Sequence, residues 1–351
     1  MTHAQTWPRD GWLPRRIAVL RALHLGDLLC ATPALRALRR RFPSAEITLI
    51  GLPWSADLVG RLPDVDRFAP FPGYPGIPEV PYEPARTHAF LAEARARPFD
   101  LAIQMHGSGT ASNGFIASLG ATVTLGYRLL EDERLTIGLP YLADDHEVLR
   151  WLRLVAVLGA ETKDTRLAFP TSTDEQQRAA VLLAPARRAG GPVIGLHVGG
   201  RGVERRWPAA RFAALADAHT ALPGSASERD VTRQVTSAIR APVLDLAGQT
   251  DLGTFGALIA GLDLLITNDT GASHLAAACA TPSVVLFATT SPYNWAPLDR
   301  DRHLVVDART FAPPEMPGPE ALAQLPIEPV LLACERLLGN VRARAGVAAG
   351  Q

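Results

Sequence analysis

Short apolar runs alternate along this chain with segments whose apolar residues recur at helical spacing. The alternation is typical of βαβ units and predicts an α/β protein built from two successive, doubly wound domains with mainly parallel sheets. We expect the N-terminal domain at residues 1–165, an interdomain connection at 166–191 and the C-terminal domain at 192–351. The last helix is expected to pack back on the first domain. Because such domains bind ligands at the carboxyl ends of their strands, we expect the active site in a cleft between them.

The same pattern predicts individual elements. In the first domain the expected strands are residues 17–23, 46–51, 99–106 and 122–126, and the expected helices are 27–42 and 145–158. In the second domain the expected strands are 192–198, 243–247, 264–267 and 283–288, and the expected helices are 208–219 and 271–280.

Two stretches depart from the alternation. Residues 70–84 hold too many prolines for a helix or a central strand and predict a long ordered loop. In the second domain, the strand expected after residue 219 is reduced to residues 220–222, directly followed by Pro223 and Gly224. Either that strand is very short or the helix before it ends early.

The charge balance restricts the classes of partner. Lys plus Arg and Asp plus Glu are 35 each, so the formal net charge is zero, which argues against a nucleic-acid partner. The chain has no uninterrupted apolar run of about 18 residues, and its N-terminus lacks the apolar core of a secretory signal. These features favour a cytoplasmic enzyme. The net charge of zero is nevertheless an average over the chain, because residues 15–41 and 201–211 are rich in arginine.

A candidate phosphate site lies where residues 264–267, a predicted strand, lead into a helix. Backbone N–H groups at a helix N-terminus bind anions, and Gly271 allows a phosphate to approach the backbone closely. Thr270 adds a hydroxyl donor, and His274 follows one turn into the helix. We interpret this turn as a diphosphate site; the alternative is that Asp269 or Thr270 simply caps the helix.

A candidate general base stands in the turn between the first strand and the first helix. Gly26 allows a tight turn, and Asp27 follows at the start of the helix. A carboxylate at the carboxyl end of a strand can take a proton from an incoming hydroxyl group. The alternative is again a helix cap.

Two further groups of residues complete the candidate chemistry. Gly199 and Gly200 end a strand before an arginine-rich loop, a combination that suits nucleotide phosphates, although a solvated loop is the alternative. His106 and Asn113 follow a strand of the first domain and are candidates for acceptor contact, with a structural role as the alternative. The Asp-Arg-Asp sequence at 299–301 follows no apolar strand, so we interpret it as a charged loop rather than a metal site.

In this order, the segments at 15–51, 205–208, 244–252 and 266–292 resemble glycosyltransferase family 9, the heptosyltransferase family. The resemblance implies the GT-B fold, in which two Rossmann-like domains face each other across a cleft. It also implies an inverting, metal-independent transfer of a sugar from a nucleotide diphosphate. The typical donor is ADP-heptose, the typical acceptor is a saccharide of the lipopolysaccharide core or a related cell-envelope glycan, and no cofactor is needed.

The resemblance also assigns roles to residues. Asp27 matches the proposed catalytic base of the family, and Arg205 matches a basic residue, usually lysine, before a Trp-Pro pair. Glu228 matches an acidic residue expected to hold the donor ribose. The donor diphosphate motif matches Asp269, Thr270, Gly271 and His274.

The motifs and the family resemblance also leave two alternative functions open and imply further partners. A sugar-nucleotide epimerase shares this architecture, and a degenerate member would bind a nucleotide sugar without turnover. Partners are expected to be a nucleotide sugar and a glycolipid or oligosaccharide acceptor, and we expect a monomer. The arginines at 36 and 39–41 predict peripheral contact with anionic lipid at the cytoplasmic face of the inner membrane; a solvated helix face is the alternative.

Overall fold

The computed structural model describes residues 11–129, 132–216, 220–239 and 243–349, with the backbone alone at 220, 221 and 340–349. It divides into two compact units, Met1–Ala168 and Phe169–Gln351. Within the described residues, each unit contains a six-stranded sheet in which all paired strands are parallel. The prediction of two doubly wound α/β units is confirmed.

The first unit follows the βα alternation from its start. Its elements are β1 (Arg16–Leu20), α1 (Leu25–Arg41), β2 (Glu46–Gly51), α2 (Ala56–Arg61), β3 (Arg67–Pro70), α3 (Pro84–Ala96), β4 (Leu101–Gln104), α4 (Ser112–Ser118), β5 (Val123–Arg128), β6 (Ile137–Pro140) and α5 (Glu147–Ala156). The strand order is β3-β2-β1-β4-β5-β6. The order reverses between β1 and β4, and in open α/β sheets such a reversal is the usual place for a ligand.

In the first unit, the central strands were predicted from the sequence and the edge strands β3 and β6 were not. Strand β2 has the predicted bounds, whereas β1 and β4 are shorter than predicted at their carboxyl ends. Strands β3 and β6 were not predicted because both are four residues long, partly exposed and end in proline. Proline is tolerated at the edge of a sheet because its missing N–H is not needed there.

The proline-rich stretch at 70–84 is an ordered loop between β3 and α3, as predicted. Two side chains of α3 hold it: Arg86 Nε donates to Pro72 O at 2.7 Å, and Thr87 Oγ1 donates to Gly73 O at 2.9 Å. Ile77 inserts its side chain into the core of the first unit and is 4% exposed. The loop is therefore fixed at both its beginning and its middle.

The second unit repeats the architecture. Its elements are α6 (Thr173–Ala189), β7 (Ile194–His197), α7 (Ala209–Leu215), β8 (Thr220–Leu222), α8 (Arg229–Ala238), β9 (Val243–Asp245), α9 (Leu252–Ala260), β10 (Leu264–Asn268), α10 (Gly271–Ala278), β11 (Ser283–Phe287), α11 (Pro292–Trp295), β12 (His303–Asp307), α12 (Gly318–Gln324) and α13 (Glu328–Ala349). The strand order is β12-β11-β10-β7-β8-β9, so the order reverses between β7 and β10.

The structure differs from the sequence expectation in the stretch at 166–191. This stretch was expected to be an interdomain connection, but it contains α6, which belongs to the second unit. A capping box starts the helix: Ser172 Oγ accepts from Glu175 N at 3.3 Å, and Ser172 N donates to Glu175 Oε2 at 2.8 Å. Pro185 lies inside the helix and obscured it in the sequence, because proline usually breaks a helix interior.

Both explanations offered for the shortened stretch near residue 220 apply. Helix α7 ends at Leu215, and β8 has three residues that still pair with β7 and β9. The end of the predicted helix, 217–219, lies outside the described residues. In α13, Val330, Cys334 and Leu337 pack in the core of the second unit, and the packing of this helix on the first domain stays a prediction.

Candidate active site

Asn268 ties together the loops at the carboxyl ends of β7 and β10. Its side chain is fully buried. Its Oδ1 accepts from the Trp207 N–H at 3.0 Å, and its Nδ2 donates to Gly199 O at 2.8 Å and to Val198 O at 3.2 Å. One amide side chain thus fixes the glycine turn after β7 and the segment that carries Arg205 against the end of β10.

Glu228 lies against the glycine turn. A Cβ atom built on Gly199 would stand 1.6 Å from Glu228 Oε1, so only glycine leaves room for this carboxylate. On the other side, Glu228 Oε2 is 3.6 Å from His197 Nε2 and accepts from Ser225 N at 2.8 Å. The structure therefore brings together two of the predicted nucleotide residues, Gly199 and Glu228, and adds His197, which was not predicted from the sequence.

The environment of Glu228 favours its charged form. Burial alone would raise the pKa of this carboxyl, but the neighbouring His197 imidazole and the hydrogen bonds from Ser225 together lower it to about 2. Glu228 is therefore a carboxylate at neutral pH, and a carboxylate beside a glycine turn can accept hydrogen bonds from a pair of hydroxyl groups.

Gly200 completes the turn with a backbone that favours glycine. Its φ is +154°, and a Cβ atom there would stand 3.2 Å from the Cγ2 of Thr270. The predicted nucleotide turn and the predicted diphosphate motif therefore lie next to each other at the ends of β7 and β10.

Arg205 and Asp269 form an ion pair at the start of α10. Arg205 donates through one terminal nitrogen to Asp269 Oδ2 at 2.7 Å and to Asp269 O at 2.9 Å. Thr290 Oγ1 donates to the same carboxylate oxygen. The Arg205 side chain is 31% exposed, and its Nε is buried without a hydrogen-bond partner among the described residues. Arg205 therefore keeps donors beyond those that Asp269 uses.

The remaining residues of the diphosphate motif begin α10. Thr270 is the N-cap residue, and its Oγ1 accepts from Ala272 N at 3.3 Å, so the capping alternative also applies. Gly271 is the first residue of the helix. His274 is 4% exposed, and its ring meets the ring of Trp295 edge-on, with 6.2 Å between the centroids. The motif therefore combines a helix N-terminus with a buried imidazole one turn further on.

In the first unit, Asp27 lies in the first turn of α1. The His24 N–H donates to Asp27 Oδ2 at 3.2 Å, while Asp27 Oδ1 is 3.6 Å from a terminal nitrogen of Arg21. The side chain of Asp27 is 21% exposed. One carboxylate oxygen therefore caps the helix, and this contact fixes the orientation of the carboxylate. Because the side chain is partly exposed, a small polar group can still reach it.

Arg21 is a fully buried arginine that anchors the turn of Asp27. It donates to Asp27 O at 2.8 Å, to Met105 O at 2.7 Å and to Glu147 Oε1 at 2.9 Å. Its guanidinium also lies over the ring of Trp151, 4.6 Å from the ring centroid. Arg21 thereby joins the loops after β1 and β4 to the start of α5.

Glu147 balances the charge of Arg21. It also accepts from Trp151 Nε1 at 3.0 Å and from Arg150 Nε at 3.1 Å. Burial raises the pKa of Glu147, but the charges and hydrogen bonds of Arg21, Arg150 and Trp151 outweigh burial and lower it. This network is not predictable from local sequence patterns, in which the only signal is an arginine placed directly after an apolar strand.

His106 follows β4 and faces a carboxylate from the proline-rich loop. Its Nε2 is 3.8 Å from Glu79 Oε2, and the two side chains are 11% and 19% exposed. Burial, together with the charge of Arg21, lowers the pKa of His106 to about 4, so the imidazole is neutral at neutral pH. Asn113 is fully buried instead, and its Nδ2 donates to Tyr127 O and Asp132 Oδ2, both at 2.9 Å.

The arginines predicted to contact a membrane are paired with carboxylates. Arg36 and Arg40 pair with Asp164 at 3.3 and 3.6 Å, and Arg39 pairs with Asp66. Among the described residues, no helix is long and apolar enough to cross a membrane. In the same part of the chain, no group of three or more His, Cys, Asp or Glu side chains is arranged to hold a metal ion.

Comparison with known proteins identifies the family to which this chain belongs. The model of glycosyltransferase family 9 (heptosyltransferase) matches residues 87–315. Lipopolysaccharide heptosyltransferase 2 of Salmonella typhimurium is 25% identical over 308 residues, which cover 83% of this chain and 87% of that protein. The fold is similar to that of a family 9 glycosyltransferase from Veillonella parvula, with a TM-score of 0.77, 22% identity and coverage of 93% and 98% of the two chains.

A second solved structure, ADP-heptose lipopolysaccharide heptosyltransferase II of E. coli, has a TM-score of 0.73, 21% identity and coverage of 93% and 99%. The two units, with their parallel sheets, have the GT-B fold, and the protein is a glycosyltransferase. The chain belongs to glycosyltransferase family 9. The resemblance and the enzyme class expected from the sequence are confirmed.

Proposed function

We propose that this protein transfers a heptose from ADP-heptose to a saccharide of the lipopolysaccharide core or a related cell-envelope glycan. The family and the names of the relatives support this proposal. The observation that carries it is the close grouping of Glu228, Gly199, Arg205 and the start of α10 at one end of the second sheet. A carboxylate, a glycine turn, a guanidinium and a helix N-terminus are the groups that a nucleoside diphosphate requires.

In this proposal each group has a role toward the donor. The Glu228 carboxylate accepts hydrogen bonds from the ribose hydroxyls. Arg205 and the N–H groups at the start of α10 bind the diphosphate, because both present positive charge to phosphate oxygens. Asp269 orients Arg205 through their 2.7 Å ion pair. Charge that develops on the leaving ADP is neutralised by these groups, without a metal ion or another cofactor.

Asp27 is the proposed base toward the acceptor. It takes the proton from the acceptor hydroxyl while the oxygen of that hydroxyl forms a bond to the anomeric carbon of the heptose. The bond from this carbon to the diphosphate oxygen breaks in the same step, and the electron pair leaves with ADP. Attack opposite the leaving group inverts the anomeric configuration.

The test is transfer by the Asp27→Asn variant, with Asp57→Asn as a matched control. Asp57 is an exposed carboxylate that pairs with Arg61 in α2. We expect kcat of Asp27→Asn to fall about 100- to 10,000-fold, the usual contribution of a general base, with ADP affinity unchanged. Full activity in Asp27→Asn contradicts the assigned role. Conversion of the nucleotide sugar without acceptor indicates an epimerase, and donor binding without any turnover indicates a degenerate member.

We also propose a monomer that works in the cytoplasm and contacts the cytoplasmic face of the inner membrane through α1. The ion pairs of Arg36, Arg39 and Arg40 with aspartates reduce the net positive charge of that helix. We therefore expect weak binding to anionic vesicles that is lost as the ionic strength rises. No binding at low salt contradicts the membrane proposal, and a concentration-dependent mass in sedimentation contradicts the monomer.

A further inference from the structure

We propose that Glu79 and His106 form a binding site for a hydroxyl group of the acceptor saccharide, next to the base Asp27. The proposal rests on the proposed function and extends it to Glu79, a residue that neither the motifs nor the family resemblance singled out. Four observations support it: the unsatisfied polar atoms of the pair, their separation, the rigid support of both residues and their place in the sheet.

The first observation is a shortage of hydrogen-bond partners. Nδ1 of His106 and Oε2 of Glu79 are both buried without a hydrogen-bond partner among the described residues. A buried polar atom without a partner costs free energy, and most such atoms in folded proteins are satisfied. Two of them in neighbouring side chains indicate a site that is built for a ligand rather than for the stability of the fold.

The second observation is the separation of the pair. The 3.8 Å between Glu79 Oε2 and His106 Nε2 is too long for a direct hydrogen bond. It is short enough for one hydroxyl group to donate to Glu79 Oε2 and to accept from the N–H of His106 Nε2, each over about 2.8 Å. The unpartnered Nδ1 is then the acceptor of the ring and can take a hydrogen bond from a second polar group of the same sugar. Because His106 is neutral at neutral pH, its ring offers one donor and one acceptor, which is the chemistry that recognises an uncharged alcohol.

The third observation is that both residues are held in place. Gln104 Nε2 and Ser112 Oγ donate to His106 O at 2.5 and 2.8 Å, which fixes the backbone that carries the imidazole. Glu79 lies next to Val80, which packs on the core of the first unit, and two residues after the buried Ile77. A preorganised pair loses little conformational entropy when it binds a sugar.

The fourth observation places the pair beside Asp27. His106 follows β4 and Asp27 follows β1, and these two strands are neighbours at the point where the strand order reverses. Arg21 joins the two loops because it donates to Met105 O and to Asp27 O. A saccharide hydroxyl bound by the pair would therefore belong to the sugar that presents its attacking hydroxyl to Asp27.

The test measures acceptor affinity and not only turnover. The probe is a soluble, de-acylated core saccharide from a lipopolysaccharide heptosyltransferase 2 mutant, titrated into the protein saturated with ADP. The variants are Glu79→Gln and His106→Leu, and Glu83→Gln is the matched control because Glu83 is an exposed carboxylate of the same loop. Thermal unfolding verifies that each variant is folded. If Glu79→Gln does not fold, Glu79→Asp takes its place in the titration.

We expect about a 10-fold or greater loss of saccharide affinity in Glu79→Gln and in His106→Leu, because the first replaces a charged acceptor with a weaker neutral one and the second removes the imidazole N–H. The double variant is expected to lose little more than either single variant, since the two residues bind one hydroxyl. ADP affinity and the Glu83→Gln control stay unchanged. Equal saccharide affinity in all variants overturns the inference, as does a wild-type protein that does not bind the saccharide.

This readout separates the inference from the proposed function. If the wild-type protein binds the saccharide through Glu79 and His106 but transfers no heptose to it, the inference stands and the proposed donor or reaction is wrong. If heptose is transferred and the affinities of the variants match the wild type, the proposed function stands and the inference is wrong.

Discussion

The carboxylate of Glu228 occupies the space that a side chain on Gly199 would need, with 1.6 Å between Oε1 and the position of the missing Cβ atom. The absence of a side chain at 199 is therefore what allows the acidic residue to reach the glycine turn. Asn268 holds the same turn through Gly199 O, so the turn has little freedom to move away.

The first prediction concerns Gly199→Ala. The new methyl group displaces the Glu228 carboxylate from its contacts with Ser225 and His197, so we expect ADP affinity to fall about 10-fold or more. Gly339→Ala is the control, because Gly339 lies in α13 and, apart from the backbone of its own helix, no described atom lies within 4 Å of its added Cβ. Isothermal titration with ADP measures the effect. An unchanged dissociation constant in a folded Gly199→Ala variant would contradict the placement of Glu228 in the nucleotide site.

The second prediction concerns pH. The pKa of Glu228 is about 2 in the folded protein, below its ordinary value of 4.5. A lowered pKa stabilises the folded state above the ordinary value, and this contribution disappears as pH falls toward the folded value. We expect the difference in unfolding free energy between wild type and Glu228→Gln to shrink from pH 5 to about pH 2. Urea unfolding at a series of pH values measures it, and a constant difference would disprove the assignment.

The third prediction concerns Arg205, which the family resemblance matches to a basic residue that is usually lysine. Lysine keeps the charge but not the planar set of donors, so we expect Arg205→Lys to lower kcat/KM about 10-fold. Arg205→Gln removes the charge, and a loss of about 100- to 1,000-fold is expected from the missing stabilisation of the leaving diphosphate. Arg233→Lys, at an exposed arginine of α8, is the control. Equal activity of Arg205→Gln and wild type would exclude the role.

The fourth prediction concerns the buried pair of Arg21 and Glu147. Glu147→Gln leaves Arg21 without its full counter-charge, so we expect the unfolding free energy to fall by about 3 kcal/mol. Because Arg21 also anchors the Asp27 turn, kcat is expected to fall while the KM for the donor stays unchanged. Glu161→Gln, at an exposed carboxylate, is the control. Urea unfolding and steady-state kinetics measure both effects; stability equal to that of the control would show that the pair contributes nothing.

The sequence predicted the central strands and the turn at the start of α10 because their signals are local. Apolar runs such as that of β2, and the turn that ends in Gly271, are visible within a few residues. Helix α6 was missed because Pro185 and the polar composition around it mask the helical pattern. Edge strands β3 and β6 were missed because they have too few buried side chains to stand out.

The partners of the site residues could not be predicted because they are distant in the chain. Arg21 meets Glu147 across 126 positions, and Asn268 meets Gly199 across 69. Glu79 lies in a proline-rich loop whose composition indicates only that it is ordered, and its contact with His106 depends on how that loop returns to the sheet. Such pairings follow from the topology, which apolar spacing alone does not specify.

The central claim is the transfer of heptose from ADP-heptose, and one assay tests it most directly. The purified protein is incubated with the core saccharide acceptor in parallel reactions that contain ADP-heptose, UDP-glucose or GDP-mannose. The mass of the product is measured by mass spectrometry. We predict that the acceptor gains one heptose residue with ADP-heptose only, with stoichiometric release of ADP. An acceptor that stays unmodified with ADP-heptose but is glycosylated by another nucleotide sugar would contradict the account.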